Sequence, residues 1–287
     1  MDLLAYWRWD NYQYDLDQGA GFHFNSNQSR LHSEIALGER LWLVTGRPTR
    51  NGVFYQLVTR LTISAKTFNP PGYRYGPYRV WGDVHHSQYF SAEAPALNDL
   101  LLNLKFATGK RISAQSSIGQ ALQTIRGLAL EDTRLLASFS AELALESRAY
   151  QVADEVVLET SLERGENAVH EVVSHYHVGA SAQRRSALRN LYTRNQALVT
   201  KLKEIYQDRC QLCGFDPQLL YGVSACSAHH IMYLSRGGQD ELQNMLLVCP
   251  NHHQIIHATH AAFDFKDMHY VFKNGRREPL VLNRHLP

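Results

Sequence analysis

The chain has 287 residues, 44% of them hydrophobic and 20% charged, with a formal net charge of +2, an ordinary balance for a soluble protein long enough to build two cores. No apolar run approaches the ~18 residues that a membrane span requires, and the opening MDLLAYWRWDNYQYDL lacks the basic and apolar regions of a signal peptide. Composition therefore argues against a membrane protein and leads us to expect a cytoplasmic one with no membrane partner.

The first third reads as β-rich. Arg40-Leu41-Trp42-Leu43-Val44, Val53 to Val58 and Tyr78-Arg79-Val80-Trp81 are β-branched and aromatic runs, separated by Gly46-Arg47-Pro48, Asn51-Gly52 and Asn69-Pro70-Pro71-Gly72. They predict a small barrel or curled sheet over residues 1–95. The order of an opening Tyr6-Trp7, a Gly38-to-Leu43 strand and a Gly52-to-Tyr55 strand is similar to a PUA-like barrel of the EVE type. That resemblance implies a reader of a modified base rotated out of the duplex, stacked between aromatic rings and read at its edge. Trp7, Trp9, Tyr12, Trp42 and Trp81 are candidates for the cage, and Asp10 or Asn11 for the edge reader. Each ring taken singly reads as core packing; the cluster carries the base-reading interpretation. His85-His86 reads as structural or solvent-facing within an aromatic strand.

From Ala96 apolar residues recur at helical spacing over 97–106, 117–128 and 131–148, with Asp132, Thr133 and Ser113 as caps. Residues 166–176 are ambiguous, and 185–207 read as a long helix. The expected organisation is a β-rich module (1–95), a mainly helical extension (96–183) and a C-terminal domain (184–287). Residues 184–287 hold 13 Lys and Arg against 8 Asp and Glu, and residues 1–183 hold 16 against 19, so positive charge is concentrated where a polyanion would dock. For most of these side chains a solvated face is an equal reading.

The densest chemistry lies between Cys210 and His257. Cys210 and Cys213 form a C-x2-C pair, and Cys249 and His252 a C-x2-H pair. Three thiolates and an imidazole close a tetrahedral zinc shell, and a closed shell is structural. Cys226 stands outside both pairs and reads as a buried strand residue or, alternatively, a substitute ligand. On the cysteines alone a purely structural zinc ribbon fits as well. What a ribbon does not need is the remaining series His229, His230, Asn244, His253 and His257.

That series resembles the HNH, or ββα-metal, endonucleases: His230, Asn244 fourteen residues on and His253 nine further, with an HHI tripeptide and a Gly237-Gly238 turn, over roughly residues 191–265. His229 and His257 fit the branch of the family that holds its catalytic metal through imidazoles. The two resemblances together imply an α+β chain, with a PUA-like barrel, a helical connection and a C-terminal ββα-metal domain. In it His230 is the general base, since imidazole titrates near neutrality, and Asn244 bonds backbone to fix the loop. Alternation on a strand would turn His229 toward metal and His230 toward water. His253 and His257, four apart after Pro250, share one helix face and would complete a three-histidine centre with open positions. His260 reads as a helix-end residue.

The implied function is hydrolysis of phosphodiester bonds by a restriction-type enzyme acting on double-stranded DNA that carries modified cytosine. It would use structural Zn2+ and a catalytic Mg2+, Mn2+, Ni2+ or Zn2+. One such site cuts one strand, so double-strand cleavage would need a homodimer or two successive events. The alternative is a non-catalytic zinc-ribbon reader of modified DNA.

Overall fold

A computed structural model describes residues 1–50, 52–91, 93–113, 117–150, 154–164 and 196–287. The ambiguous segment 166–176, the first part of the expected long helix (185–195) and the basic residues Arg184, Arg185, Arg189 and Arg194 lie outside the described residues. No described helix is long and apolar enough to cross a membrane. The chain divides into two compact units, residues 1–14 with 22–149, and residues 15–21 with 150–287.

The first unit is built on a seven-stranded sheet: β1 (Leu3–Tyr6), β2 (His23–Ser26), β3 (Arg40–Thr49), β4 (Gly52–Phe68), β5 (Tyr78–Gly82), β6 (Gln88–Tyr89) and β7 (Arg126–Gly127). Its strand order is β2-β5-β4-β3-β1-β7, with β6 also on β4. The 17-residue β4 pairs β3 through residues 52–62, β6 at Thr59 and Arg60, and β5 through 63–68, with an irregularity at Ile63/Ala65. Such an offset bends a strand and increases its twist, so the sheet is curled. It does not close: among the described residues its end strands β2 and β7 do not pair with one another. No closed barrel is found among the described residues; of the two expected forms the curled sheet is the one observed, and it also takes in the two-residue β7, which pairs β1 at Leu3↔Gly127 and Leu4↔Arg126.

Helix α1 (Trp9–Gln18) follows β1, and α2 (Arg30–Ser33) follows β2. Helices α3 (Asn98–Asn103), α4 (Ile118–Ala121) and α5 (Leu130–Ala141) occupy the expected helical region but are shorter. Residues 126–127 leave the expected second helix to join the sheet as β7, and Leu145 forms an isolated bridge with Phe90 beyond α5. Ser117, rather than Ser113, caps α4 through a reciprocal pair with Gln120, whereas Asp132 bonds back to the Ala129 N–H at the start of α5. Leu97, Leu101, Leu104, Leu128 and Leu136 from this region pack with Leu4, Trp42, Val44 and Leu57 of the sheet in one apolar cluster.

In the second unit α6 (Ser147–Tyr150) lies at the boundary and α7 (Glu155–Arg164) opens the described part. Residues 196–206 form helix α8. There follow α9 (Pro217–Tyr221), β8 (Ser227–His230), β9 (Met245–Val248), α10 (Pro250–Thr259) and a three-stranded sheet of β10 (Ala262–Asp264), β11 (His269–Val271) and β12 (Arg277–Pro279). β8 and β9 pair antiparallel, His229 opposite Leu246 and His230 opposite Met245. Two strands followed by α10 make a ββα unit, closed below by Leu202, Tyr206, Leu246, Val248, Ile256, Phe263 and Tyr270.

Candidate metal centres

The two cysteine-bearing pairs meet. Gln207 and Asp208 both take left-handed backbone and end α8. The chain then turns through a knuckle in which Cys210 N–H donates to Phe215 O and Gly214 N–H to Cys210 O; Gly214, at φ +71°, supplies the left-handed position. Gln211, fully buried, ties the knuckle to β9 by accepting from Leu247 N–H and to the C-terminal segment by donating to Leu282 O. On the other side Cys249 caps α10, with Pro250 at its first helical position, which sets His252 one turn in. Cys213 Sγ and Cys249 Sγ are 3.9 Å apart, and His252 Nδ1 is 3.6 Å from Cys210 Sγ and 3.3 Å from Cys249 Sγ. A tetrahedral zinc with bonds of about 2.3 Å to sulfur and about 2.0 Å to nitrogen separates its ligand atoms by about 3.8 Å (S–S) and about 3.6 Å (S–N). The donor set and its spacing fit zinc. Burial pushes the Cys210 thiol up to about 12, so thiolate ligation there needs the charge of the ion.

The far nitrogen of His252 meets Glu278 Oε2 at 3.2 Å, an arrangement that fixes a ligating imidazole's tautomer and orientation. Cys226 is buried in the apolar cluster, its thiol pushed up to about 12 by burial, and it is not part of the Cys/His group.

One residue along α10 a second cluster begins. His253 and His257 present Nε2 atoms 3.3 Å apart, and His229 Nδ1, from β8, lies 3.2 Å from His257 Nε2. Burial lowers His229 to about 4, so it is a neutral imidazole with a lone pair to offer. The fourth member is Glu159 on α7: its Oε2 lies 2.7 Å from His253 Nε2, 2.9 Å from His257 Nε2 and 3.6 Å from His229 Nδ1. Burial pushes the Glu159 carboxyl up, but the surrounding His229, His230 and His253 outweigh it and hold it well below the usual carboxylate range.

His230 is fully enclosed rather than turned to water as strand alternation suggests. Its Nδ1 is 3.2 Å from Glu159 Oε1 and its Nε2 is 3.2 Å from Asp240 Oδ1. Asp240 comes from the β8–β9 loop and Glu159 from α7, so elements outside the strand pair close over its ring. Burial lowers its pKa, but the two carboxylates outweigh that and raise it to about 10; a dication beside it opposes that protonation.

Asn244, on the short 3-10 turn Leu242–Asn244, ties the loop ends together. Its Nδ2 donates to Met232 O and Gln239 O, and its Oδ1 accepts from Met232 N–H. Gly238 leaves no room for a side chain here, since a Cβ would lie 1.9 Å from Met232 O. Glu155, one turn before Glu159, accepts from the N–H groups of Leu234 and Ser235, and burial pushes its carboxyl up. His260 ends α10 in left-handed backbone.

The aromatic candidates in the first unit fall into separate groups. Trp7, Trp9 and Tyr12 are mutual neighbours, with ring centroids 5.6 Å (Trp7–Tyr12) and 6.1 Å (Trp9–Tyr12) apart. Tyr12 is buried and donates to Phe90 O, whereas Trp9 is half-buried beside the Arg47 guanidinium. Asp10 is exposed and paired with Arg8, and Asn11 is half-buried. Trp42 is fully buried among Leu4, Val44 and Leu57, its Nε1 donating to Asp2. Trp81 lies against His23 and Arg79, its Nε1 donating to Thr67. His85 and His86 belong to an exposed turn gathered by Asp83 after β5, not to a strand. Of the basic residues in the second unit, Lys203, Arg209 and Arg276 pair with Asp208, Asp216 and Glu278.

Glu155, Glu159, Asp240 and Glu278 escaped the sequence reading. The first two have a signal: Glu155, Leu158, Glu159 and Leu162 fall at i, i+3, i+4, i+7 on one buried stripe of α7, while Val156 and Val157 beside them are exposed.

One family match falls on the residues that build this geometry. Residues 210–259 match the family described as HNH endonuclease, the stretch that carries β8, β9, α10 and the cysteines and histidines of both clusters. No curated protein matches the sequence. Among solved structures, one described as the modification dependent TagI restriction endonuclease is similar at 16% identity and TM-score 0.27, covering 90% of this chain and 59% of its own. Another, the Type IV phosphorothioation-dependent restriction endonuclease ScoMcrA, is similar at 15% identity and TM-score 0.22, covering 88% of this chain and 50% of its own. The chain thus spans less than two thirds of either protein.

Proposed function

We propose that the protein is a metal-dependent DNA endonuclease of the restriction type, and that its first unit directs cleavage to DNA carrying modified cytosine. The observation that carries the nuclease reading is the meeting of His229, His253 and His257 beside His230 within the HNH segment. In this reading His229, His253 and His257 hold a divalent cation whose chemistry is stabilisation of charge on the phosphate and on the leaving oxygen. His230 accepts the proton of the attacking water, and Asn244 keeps the loop that carries Asp240 against His230. Cys210, Cys213, Cys249 and His252 hold a zinc that fixes where α10 begins.

Base reading is supported by the Trp7, Trp9 and Tyr12 group at the start of α1, with Asp10 and Asn11 beside it. A half-buried Trp9 keeps ring surface available for stacking, which Trp42 does not. The substrate is double-stranded DNA, nicked one strand per site.

The test is to incubate the full chain with matched plasmids that are unmodified, 5-methylcytosine-bearing or 5-hydroxymethylcytosine-bearing, in Mg2+, Mn2+ or Ni2+. Preferential nicking of a modified plasmid is expected. Equal nicking of all three refutes the base-reading assignment alone, and gel shifts without nicks in any metal refute the nuclease assignment.

A further inference from the structure

We infer that Glu159 is the fourth protein ligand of the catalytic cation, completing from outside the histidine motif a shell of three imidazoles and one carboxylate. The inference rests on the metal-centre reading above and adds to it a ligand 70 residues before the first histidine of the group.

The geometry is that of a coordination polyhedron whose corners are already in place. Two ligand atoms bonded at about 2.1 Å to one ion lie about 3.0 Å apart when they subtend a right angle and about 3.4 Å apart at the tetrahedral angle. The contacts of Glu159 Oε2 to the imidazole nitrogens are 2.7, 2.9 and 3.6 Å, and the two imidazole–imidazole contacts are 3.2 and 3.3 Å. All four atoms lie within 4.8 Å of one another.

Charge points the same way. The Glu159 side chain is 4% exposed, and a buried carboxylate needs a compensating charge. A dication held between Oε2 and the three imidazoles would supply one on that side of the carboxylate. The two carboxylate oxygens are also divided: Oε1 accepts from the His230 N–H at 2.9 Å and faces the His230 ring, leaving Oε2 alone toward the three other histidines. The helix that delivers Glu159 is anchored for the purpose. Glu155, one turn earlier, is clamped by the Leu234 and Ser235 N–H groups at 2.7 and 2.8 Å, and Leu158 and Leu162 are buried on the same face.

Four protein ligands would fill a tetrahedral ion and leave no position for substrate. The shell therefore suits a six-coordinate divalent ion, with two positions left for water and a phosphate oxygen. A carboxylate oxygen among the donors favours harder ions such as Mn2+, and imidazoles favour Ni2+.

The test is calorimetric titration of the zinc-replete full chain with Mn2+ and with Ni2+, for the wild type, Glu159→Gln, Glu159→Ala and His253→Ala, with thermal melting of each variant as a control for folding. Loss of a carboxylate ligand should cost a hard ion more than a softer one, and for Mn2+ at least the upper end of the ~10–100-fold typical of outer contacts. Both Glu159 variants are expected to lose at least about a hundredfold for Mn2+ and about tenfold for Ni2+, shifting the ratio of the two affinities about tenfold, and His253→Ala to shift it the opposite way. A merely structural role for Glu159 would weaken both ions alike. Wild-type affinities in folded Glu159→Gln, with both ions lost in His253→Ala, overturn the inference and leave the histidine centre standing; wild-type affinities in His253→Ala as well overturn the centre itself. Should the Glu159 variants fail to fold, anomalous scattering from Mn2+-soaked crystals of the wild type decides. An ion within about 2.4 Å of Glu159 Oε2 supports the assignment, and one beyond about 3 Å overturns it.

Discussion

Replacing Asn244 with alanine isolates the contribution of the β8–β9 loop. The side chain is buried and makes three hydrogen bonds, to Met232 N–H, Met232 O and Gln239 O, at 2.8, 2.9 and 2.8 Å. At about 1 kcal/mol net per bond, their loss costs about 3 kcal/mol, because the flank at Gln239 is exposed and water replaces part of what is lost. For a unit of this size that corresponds to a fall of roughly 9 °C in the melting temperature. All four tryptophans lie in the first unit, so their fluorescence reports that unit alone. Zinc release to a chromogenic chelator during urea unfolding reports the second. The expected result is a zinc-release midpoint lowered by the equivalent of about 3 kcal/mol, an unchanged tryptophan midpoint and slower plasmid nicking. A zinc-release midpoint within about 0.5 kcal/mol of the wild type would refute the idea that these bonds hold the loop.

His230→Ala is expected to abolish nicking while zinc content and DNA gel shifts stay at wild-type levels; retained nicking in a folded variant removes the assigned base. Cys213→Ala opens the zinc shell and should unfold the second unit, seen as lost zinc by elemental analysis and lost protection of its amides from exchange, with the tryptophan signal of the first unit unaffected. Glu278→Gln should lower zinc affinity by about 10–100-fold in competition with a chelator, since it weakens the hold on the His252 ring without touching the metal; unchanged affinity would mean that the 3.2 Å contact orients nothing.

The site was legible in the sequence where its residues are close along the chain. Cys210 and Cys213, or His253 and His257, stand one helical or knuckle turn apart, so spacing alone places them together. Glu159 was hidden for the opposite reason. It reaches the histidines only through tertiary packing, and Val156-Val157 beside it look like the apolar face of α7 although they face solvent. Asp240 and Glu278 likewise act across chain distance. In the first unit the strands rich in β-branched and aromatic residues were legible, but the two-residue β7 was not, because its pairing with β1 is a tertiary event with no local pattern behind it. For the same reason the helix expected over 117–128 stops at Ala121.

Helix α10 carries neighbours, His252 and His253, that belong to different ion clusters. Adjacent residues on a helix are separated by about 100° of rotation, so whatever fixes the azimuth of one side chain fixes the aim of the next. The cysteine-rich knuckle thus works as an index pin. Metal starvation that strips it would release the start of the helix and scatter His253 and His257, so the second cluster is expected to be lost together with the first. Moving either histidine one place along the helix would have the same consequence for the second cluster at full zinc occupancy.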